Sequence, residues 1–552
     1  MLVSALPRDG VHLRDCTSSC LPFAACLLVG ALCSAGGVGL VMRPCQAWLA
    51  LTASASAAVL APVRLSSVHT FLVVQAAASA YSFWGTLRAP GVPPASADVA
   101  LCVIVTLIWA ILTAVHYLHA HLARHPHACS SPRLAPLVLP CAYVTAWRVV
   151  GLSPIGQFAN PAATQVSFHA FAQLAAVGGL DFMAWLMAYV ASITSMALRS
   201  AAFPGLDCND SAAWHSRRRW RRTLAAHAAA CAFLMAACLG FGHLRMRAAL
   251  AHEAALLESN AALHVTCLLR VSDTTVSYAV PSEEALWNAT VAAVAASPAH
   301  SLVLWSEAAL NLYSPAVEAD TLTRAASIAA SGPAFLGLSY YVHYGPQASS
   351  KASSDDYWDS SDRIHTVFAL FAPGTGRMVT RYIKAHPVPL ADYHVVAGPA
   401  VAPLLHDTPW GPTSVGICFD EDFPDFVRQA TGAALIMQPA QTWGSHAFGR
   451  RHFLGNSLRA VENGATLVRC GSDGYSGGVS PTGVLHGHGY TGHEGSWSFT
   501  VPWPADTQTD TVFASFGGWL FGWGCVAFTA ASCAAALGRR RPAHTHSIAD
   551  SV

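Results

Sequence analysis

Gly416-Ile417-Cys418-Phe419-Asp420 decides the reading of this chain. The apolar run Ser414-Val415-Gly416-Ile417 has the length and composition of a buried strand, and it delivers a thiol at its end. Two other apolar runs finish the same way. Leu302-Val303-Leu304-Trp305-Ser306 leads to Glu307, and Tyr382-Ile383 leads to Lys384, followed by Ala385-His386-Pro387. A carboxylate, an ammonium and a thiol at the ends of three buried strands can assemble an acyl-transfer site. The thiol attacks a carbonyl, the carboxylate moves the proton and the ammonium holds the developing oxyanion.

Outward from these three points, residues 262–505 alternate strands and helices. Strands are expected at Leu263–Val271, Ser301–Trp305, Phe335–Tyr341, Ser414–Cys418, Ala434–Gln438 and Thr466–Cys470. Thr366–Phe371 and Met378–Ile383 flank Pro373-Gly374-Thr375-Gly376, a hairpin signal, and a last hairpin lies around Ser480–Gly483. Helices are expected at Ser282–Ala296, Ala319–Ser331, Pro424–Thr431 and His446–Asn463, and residues 345–361 are expected to be loop. The pattern implies a layered α/β sandwich.

The rest of the chain has a different solvent. Of 552 residues, 53% are hydrophobic and only 11% charged, well below the usual quarter. The shortage of charge is concentrated in apolar stretches: Leu21–Met42, Cys45–Val63, Val68–Leu87, Val99–Val115, Leu134–Leu152, Leu174–Leu198 and Thr223–Gly242 before the sandwich, and Thr511–Leu537 after it. Each is close to the ~20 residues a helix needs to cross a bilayer. The expected organisation is a cytoplasmic tail (1–20), seven spans (21–245), a connection (246–261), the catalytic domain (262–505), an eighth span (511–537) and a basic cytoplasmic tail (538–552). The formal net charge of +1 gives no sign of a nucleic-acid partner. Arg217-Arg218-Arg219-Trp220-Arg221-Arg222 and Arg539-Arg540-Arg541 mark the cytoplasmic side, which puts the catalytic domain on the other face.

Sixteen cysteines form no disulfide framework in this reading, since most lie in apolar spans; Cys267, Cys418 and Cys470 lie in the extramembrane domain. No CxxC pair points to zinc, and neither a cofactor nor a metal is expected. His116, His119, His121, His125 and His127 crowd the end of the fourth span without a carboxylate. Asp181 is an acid inside the sixth span, and hydrated exposure near its catalytic-side end explains it most easily.

The domain resembles a carbon–nitrogen hydrolase (nitrilase), and the whole chain resembles the apolipoprotein N-acyltransferase family. The resemblance rests on Leu304-Trp305-Ser306-Glu307-Ala308-Ala309-Leu310, on Lys384-Ala385-His386-Pro387-Val388-Pro389, on Gly416-Ile417-Cys418-Phe419-Asp420 with Phe423-Pro424 and Arg428, and on Arg459-Ala460-Val461-Glu462-Asn463-Gly464 followed by Arg469. The stretch from Ser153-Pro154 to Gln173-Leu174-Ala175 resembles the family's loop between spans five and six. It implies a polytopic helical bundle of about eight spans carrying an extramembrane αββα sandwich. It also implies Cys418 as nucleophile, activated by the Lys384 ammonium, Glu307 as general base and Lys384 as oxyanion holder. Asp392 and Asp420, where the family usually carries glutamate, are expected to orient Lys384 or complete the pocket, and Trp443 to line the substrate entrance. Gln441-Thr442 replaces the family's Asn-Asp, and Glu421 and Asp422 add charge where apolar residues are common.

The function implied is transfer of a fatty acyl chain from a phospholipid to an amine through a Cys418 thioester; in the family the amine is a lipoprotein N-terminus. A monomer in a cell membrane or endomembrane is expected. A membrane-tethered amidase using water as acceptor, and a catalytically silent polytopic protein, remain the alternatives.

Overall fold

In a bilayer no water satisfies backbone N–H and C=O groups, so apolar stretches become helices that bond internally. The structure, a computed structural model, describes residues 23–33, 44–61, 65–84, 94–124, 132–202, 211–269, 283–344, 363–389, 391–392, 394–442, 445–491, 495–503 and 511–538. The first half forms α1 (Phe23–Cys33), α2 (Pro44–Leu60), α3 (Leu65–Phe83), α4 (Pro94–Arg124), α5 (Ala135–Gly151), a single turn α6 (His169–Ala172), α7 (Ala175–Ala202) and α8 (Ser211–Glu258). Three stretches, Asp98–His121, Ala175–Ala202 and Arg218–Glu258, are long and apolar enough to cross a membrane. Phe23–Cys33, Pro44–Leu60, Ala135–Gly151 and Trp519–Ala534 are apolar but shorter. The segment expected as a connection, 246–261, is largely helix, because α8 continues without a break to Glu258.

The second half contains β1 (Ala262–Leu268), α9 (Glu283–Ala296), β2 (Leu302–Trp305), β3 (Leu310–Leu312), α10 (Pro315–Ala330), β4 (Phe335–Tyr344), β5 (Arg363–Phe371) and β6 (Met378–Ile383). It continues with β7 (Leu404–Leu405), β8 (Thr413–Val415), α11 (Pro424–Val427), β9 (Leu435–Gln441), α12 (His446–Asn463), β10 (Thr466–Ser472), β11 (Tyr475–Val479), β12 (Leu485–Tyr490) and β13 (Ser496–Pro502). The chain returns through α13 (Val512–Phe516) to α14 (Trp519–Gly538).

The strands make two sheets, a seven-stranded one in the order β13-β1-β2-β4-β5-β6 with β3 beside β4, and a six-stranded one in the order β12-β11-β10-β9-β8-β7. Side-chain alternation builds the layers. Leu302 and Leu304 of β2, with Phe368 and Leu370 of β5, join a core that includes Leu435, Met437 and Leu467 of the other sheet. Val303, Trp305, Val367 and Ala369 face the opposite way, into a second core with Trp287 of α9 and Ala325 of α10. Each such side chain contributes about 1.5–3 kcal/mol by leaving water. The arrangement is the expected αββα sandwich.

Local chemistry sets several ends. α10 begins at Pro315, earlier than expected, because the Ser314 hydroxyl accepts the Val317 N–H and Pro315 occupies the first turn. α12 runs over His446–Asn463 as its pattern predicts, capped by Ser445 and ended by Gly464 at φ 65°. The strand expected over Ser414–Cys418 stops at Val415, and Cys418 opens a 3-10 turn, Cys418–Asp422, with φ 52°. A cysteine in that left-handed region is strained, which the surrounding hydrogen bonds must sustain.

Candidate active site

Three loops leaving the sandwich converge. β2 delivers Glu307, β6 delivers Lys384, and β8 delivers Cys418; all three side chains are buried. Lys384 Nζ lies 2.8 Å from Glu307 Oε1 and 2.8 Å from Asp392 Oδ2, so the ammonium bridges two carboxylates. Asp392 also accepts the Val388 N–H at 2.9 Å, which closes its own loop. The other Glu307 oxygen accepts the Gln441 N–H at 2.9 Å, and the Glu307 N–H donates to Ala440 O at 3.3 Å. The Cys418 thiol donates to Gln441 O at 3.3 Å, while Gln438 Nε2 donates to Cys418 O at 2.9 Å. The end of β9 therefore touches both Glu307 and Cys418.

Charge follows from this geometry. Burial pushes the Glu307 carboxyl up, with the Lys384 ammonium pulling the other way. Burial alone would push Lys384 down, but Asp392 and Glu307 hold it well above its ordinary value, so it stays an ammonium. The expectation that Lys384 activates the thiol by lowering its proton affinity is corrected here. Lys384 and Arg469 do act downward, yet burial and the Glu307 charge outweigh them, and Cys418 stands well above its ordinary value. The resting nucleophile is a thiol whose proton a base must take.

Asp420 does not orient Lys384 directly. Its Oδ2 accepts the Tyr382 hydroxyl at 2.8 Å and the Ile417 N–H at 2.9 Å, and its Oδ1 accepts the His386 N–H at 2.8 Å and faces His386 Nδ1 at 3.0 Å. It ties the loop of Lys384 to the turn of Cys418. Trp443 lies outside the described residues.

A second layer was not assigned roles by sequence reasoning. Arg469 Nη2 donates to Thr442 Oγ1 at 2.9 Å and contacts His452 Nδ1 at 3.1 Å, and His452 Nε2 contacts Asp422 Oδ2 at 3.0 Å. A guanidinium on Nδ1 and a carboxylate on Nε2 assign the imidazole as the Nε2–H tautomer. Burial, then Arg469, pushes its proton affinity down, so the ring is neutral. Glu421 is buried beside this layer and its Oε2 has no hydrogen-bond partner. The signal for Arg469 was the Arg459–Gly464 motif that precedes it; nothing local flagged His452.

The membrane half reaches this site. Gly156, at φ 57° between α5 and α7, lies where an added Cβ would come 2.6 Å from Asp422 O, and the Gln157 N–H donates to that same oxygen at 2.8 Å. The Phe158 ring packs on Phe419 and Phe448, and its carbonyl accepts Arg451 Nη2 at 3.0 Å. α7 breaks at Gly178 and Gly179, and the freed Leu180 N–H donates to Glu462 Oε1 of α12 at 3.2 Å. Asp181 is buried and receives Arg148 Nε at 2.5 Å, so the expectation of hydrated exposure is corrected.

Among solution-side features, Cys267 of β1 and Cys470 of β10 form a disulfide between the two sheets, with Cα atoms 5.3 Å apart. The reading of no disulfide framework missed this pair because the cysteines stand 203 residues apart.

No protein-family model matches the chain. It is 34% identical over 138 residues to apolipoprotein N-acyltransferase of Gloeobacter violaceus, covering 21% of this chain and 26% of that one. It is 28% identical over 165 residues to apolipoprotein N-acyltransferase of a Nostoc species, covering 26% of this chain and 32% of that one. The chain thus spans about a quarter to a third of the length of these curated relatives. A mutant of an amidase of the nitrilase superfamily from Nesterenkonia is among the similar solved structures, at 20% identity and a TM-score of 0.36 over 47% of this chain and 97% of that one. The sequence relatives bear out the family resemblance read from the motifs.

Proposed function

We propose that the chain is a membrane-embedded N-acyltransferase that moves a fatty acyl group from a phospholipid to an amine through a thioester on Cys418. The observation that carries the reading is the Lys384 ammonium held between Glu307 and Asp392 beside a buried thiol. An ammonium has three donors; two go to the carboxylates, which leaves one for an oxyanion. Glu307, kept basic by burial, accepts the thiol proton as sulfur attacks the ester carbonyl. The negative charge collects on the carbonyl oxygen, where Lys384 stabilises it by about 3 kcal/mol. Collapse breaks the ester C–O bond, Glu307 returns the proton to the leaving lysophospholipid alkoxide, and the thioester remains. In the second half-reaction the amine adds to the thioester, Glu307 takes the amine proton, and the thiol is regenerated as the amide forms. Asp392 orients Lys384, Asp420 joins the two catalytic loops, and Trp443 lines the entrance.

The reading carries an eight-span arrangement with residues 262–505 on the non-cytoplasmic side. The Cys267–Cys470 disulfide supports that side, because disulfides persist in oxidising compartments. Both substrates being lipids, their path to the thiol runs through the junction of α5, α7 and α14 with the sandwich. The test is incubation of the purified full chain with radiolabelled phospholipid. A Cys418-dependent acyl-enzyme together with lysolipid, discharged by an added lipopeptide amine, is the expected result. Discharge by water alone would instead identify a hydrolase, and no label on Cys418 would sink the covalent reading.

A further inference from the structure

A cavity of about 590 Å³ lies where the membrane helices meet the sandwich, apart from the three converging side chains. One wall is Ala385, His386 and Pro387, the residues that directly follow Lys384. Another is apolar, with Leu152, Pro154, Phe423, Phe426 and Trp523. Its charged end holds Arg148 of α5, which donates Nε to Asp181 of α7 and, at 3.0 Å, Nη1 to Asp425 of α11. One guanidinium between two carboxylates leaves a negative charge uncompensated. Glu462, the third lining carboxylate, is fully buried; Arg459 Nη2 lies 3.1 Å from its Oε2, yet that oxygen accepts no hydrogen bond among the described residues. Arg428 does not line the cavity; its guanidinium sits against the α13–α14 turn at Gly517. α14 makes room for the pair, since a Cβ at Gly522 would strike Arg148 Nε.

We infer that this cavity binds a lipid-borne ammonium group, seated against Asp425 beside the Arg148–Asp181 pair. An apolar wall with one charged end suits a ligand with an acyl or glycerol body and a cationic tip. Asp425 is 57% exposed, so its carboxylate is open to such a tip, whereas Asp181 is committed to Arg148. The inference deepens the acyl-transfer reading and rests on it. The same ammonium could come from an ethanolamine-headed donor or from the acceptor's own amine.

The test uses the full chain carrying Cys418→Ala in detergent, so that binding is measured without chemistry. Native mass spectrometry titrates phosphatidylethanolamine against phosphatidylglycerol, and a diacylated peptide with a free amine against its N-acetylated form. The ammonium-bearing partner of at least one pair should bind about tenfold tighter. Asp425→Asn should erase that preference, and Asp425→Glu should keep it, with unfolding midpoints unchanged. Preference in the lipid pair assigns the cavity to the donor head, and preference in the peptide pair to the acceptor. No preference in either pair, or one that survives Asp425→Asn, overturns the inference. A failure of acyl transfer itself would appear separately, as a missing acyl-enzyme on the chain with Cys418 intact.

Discussion

Asp420 accepts the Tyr382 hydroxyl at 2.8 Å through the same oxygen that takes the Ile417 N–H. One buried carboxylate thereby fixes the spacing between the loop of Lys384 and the turn of Cys418. Asp420→Asn keeps the shape but turns one acceptor into a donor facing donors. It should cost about 2–3 kcal/mol of stability and slow acyl-enzyme formation about tenfold or more. Thermal unfolding and single-turnover labelling measure the two effects; an unchanged labelling rate would remove Asp420 from the alignment of the site.

Lys384 neutralises two buried carboxylates at once. Lys384→Met should therefore destabilise the protein by about 3–5 kcal/mol by leaving buried charges unpaired, besides abolishing acyl-enzyme. Adding Asp392→Asn should recover part of the lost stability and none of the activity. If the double variant is no more stable than the single one, the ammonium is not what keeps Asp392 in place.

Glu421 is pushed up to about 8 from 4.5 by burial and by Asp420 and Asp422, against the pull of Arg459 and Arg469. Between those two values the folded state holds a proton that the unfolded chain has released. Stability should consequently fall as pH rises from 4.5 toward 8, by at most about 1.4 kcal/mol per pH unit from this group. Glu421→Gln should flatten the fall. Unfolding midpoints of both proteins at pH 5 and pH 8 decide it, and parallel lines would contradict it.

The Cys267–Cys470 bond joins the two sheets across their shared core. Replacing both cysteines with serine should cost about 2–4 kcal/mol. In the native protein isolated from membranes, both thiols should resist alkylation until the chain is denatured and reduced. Alkylation without reductant would mean that the bond does not form there.

How far the sequence carried the fold depends on how local each cause was. β2 and β6, which bring Glu307 and Lys384, and α12 over His446–Asn463 follow from apolar runs, a serine cap and a glycine stop. The turn at Cys418 did not, because its left-handed backbone is imposed by Gln438 and Asp420 rather than by neighbouring residues. Partners distant along the chain were equally invisible. Arg148 meets Asp181 and Asp425, and Arg469 meets His452, only once helices and sheets have packed.

α8 has one more consequence. At 48 residues it is about 72 Å long, more than twice the hydrocarbon thickness of about 30 Å. Near its upper end Arg245 Nη2 donates to Pro481 O and Glu253 pairs with His486, so this rod is bolted to the sandwich. It works as a mast of fixed height, setting how far above the lipid plane the thiol rides and hence how much of an acyl chain must climb to meet it.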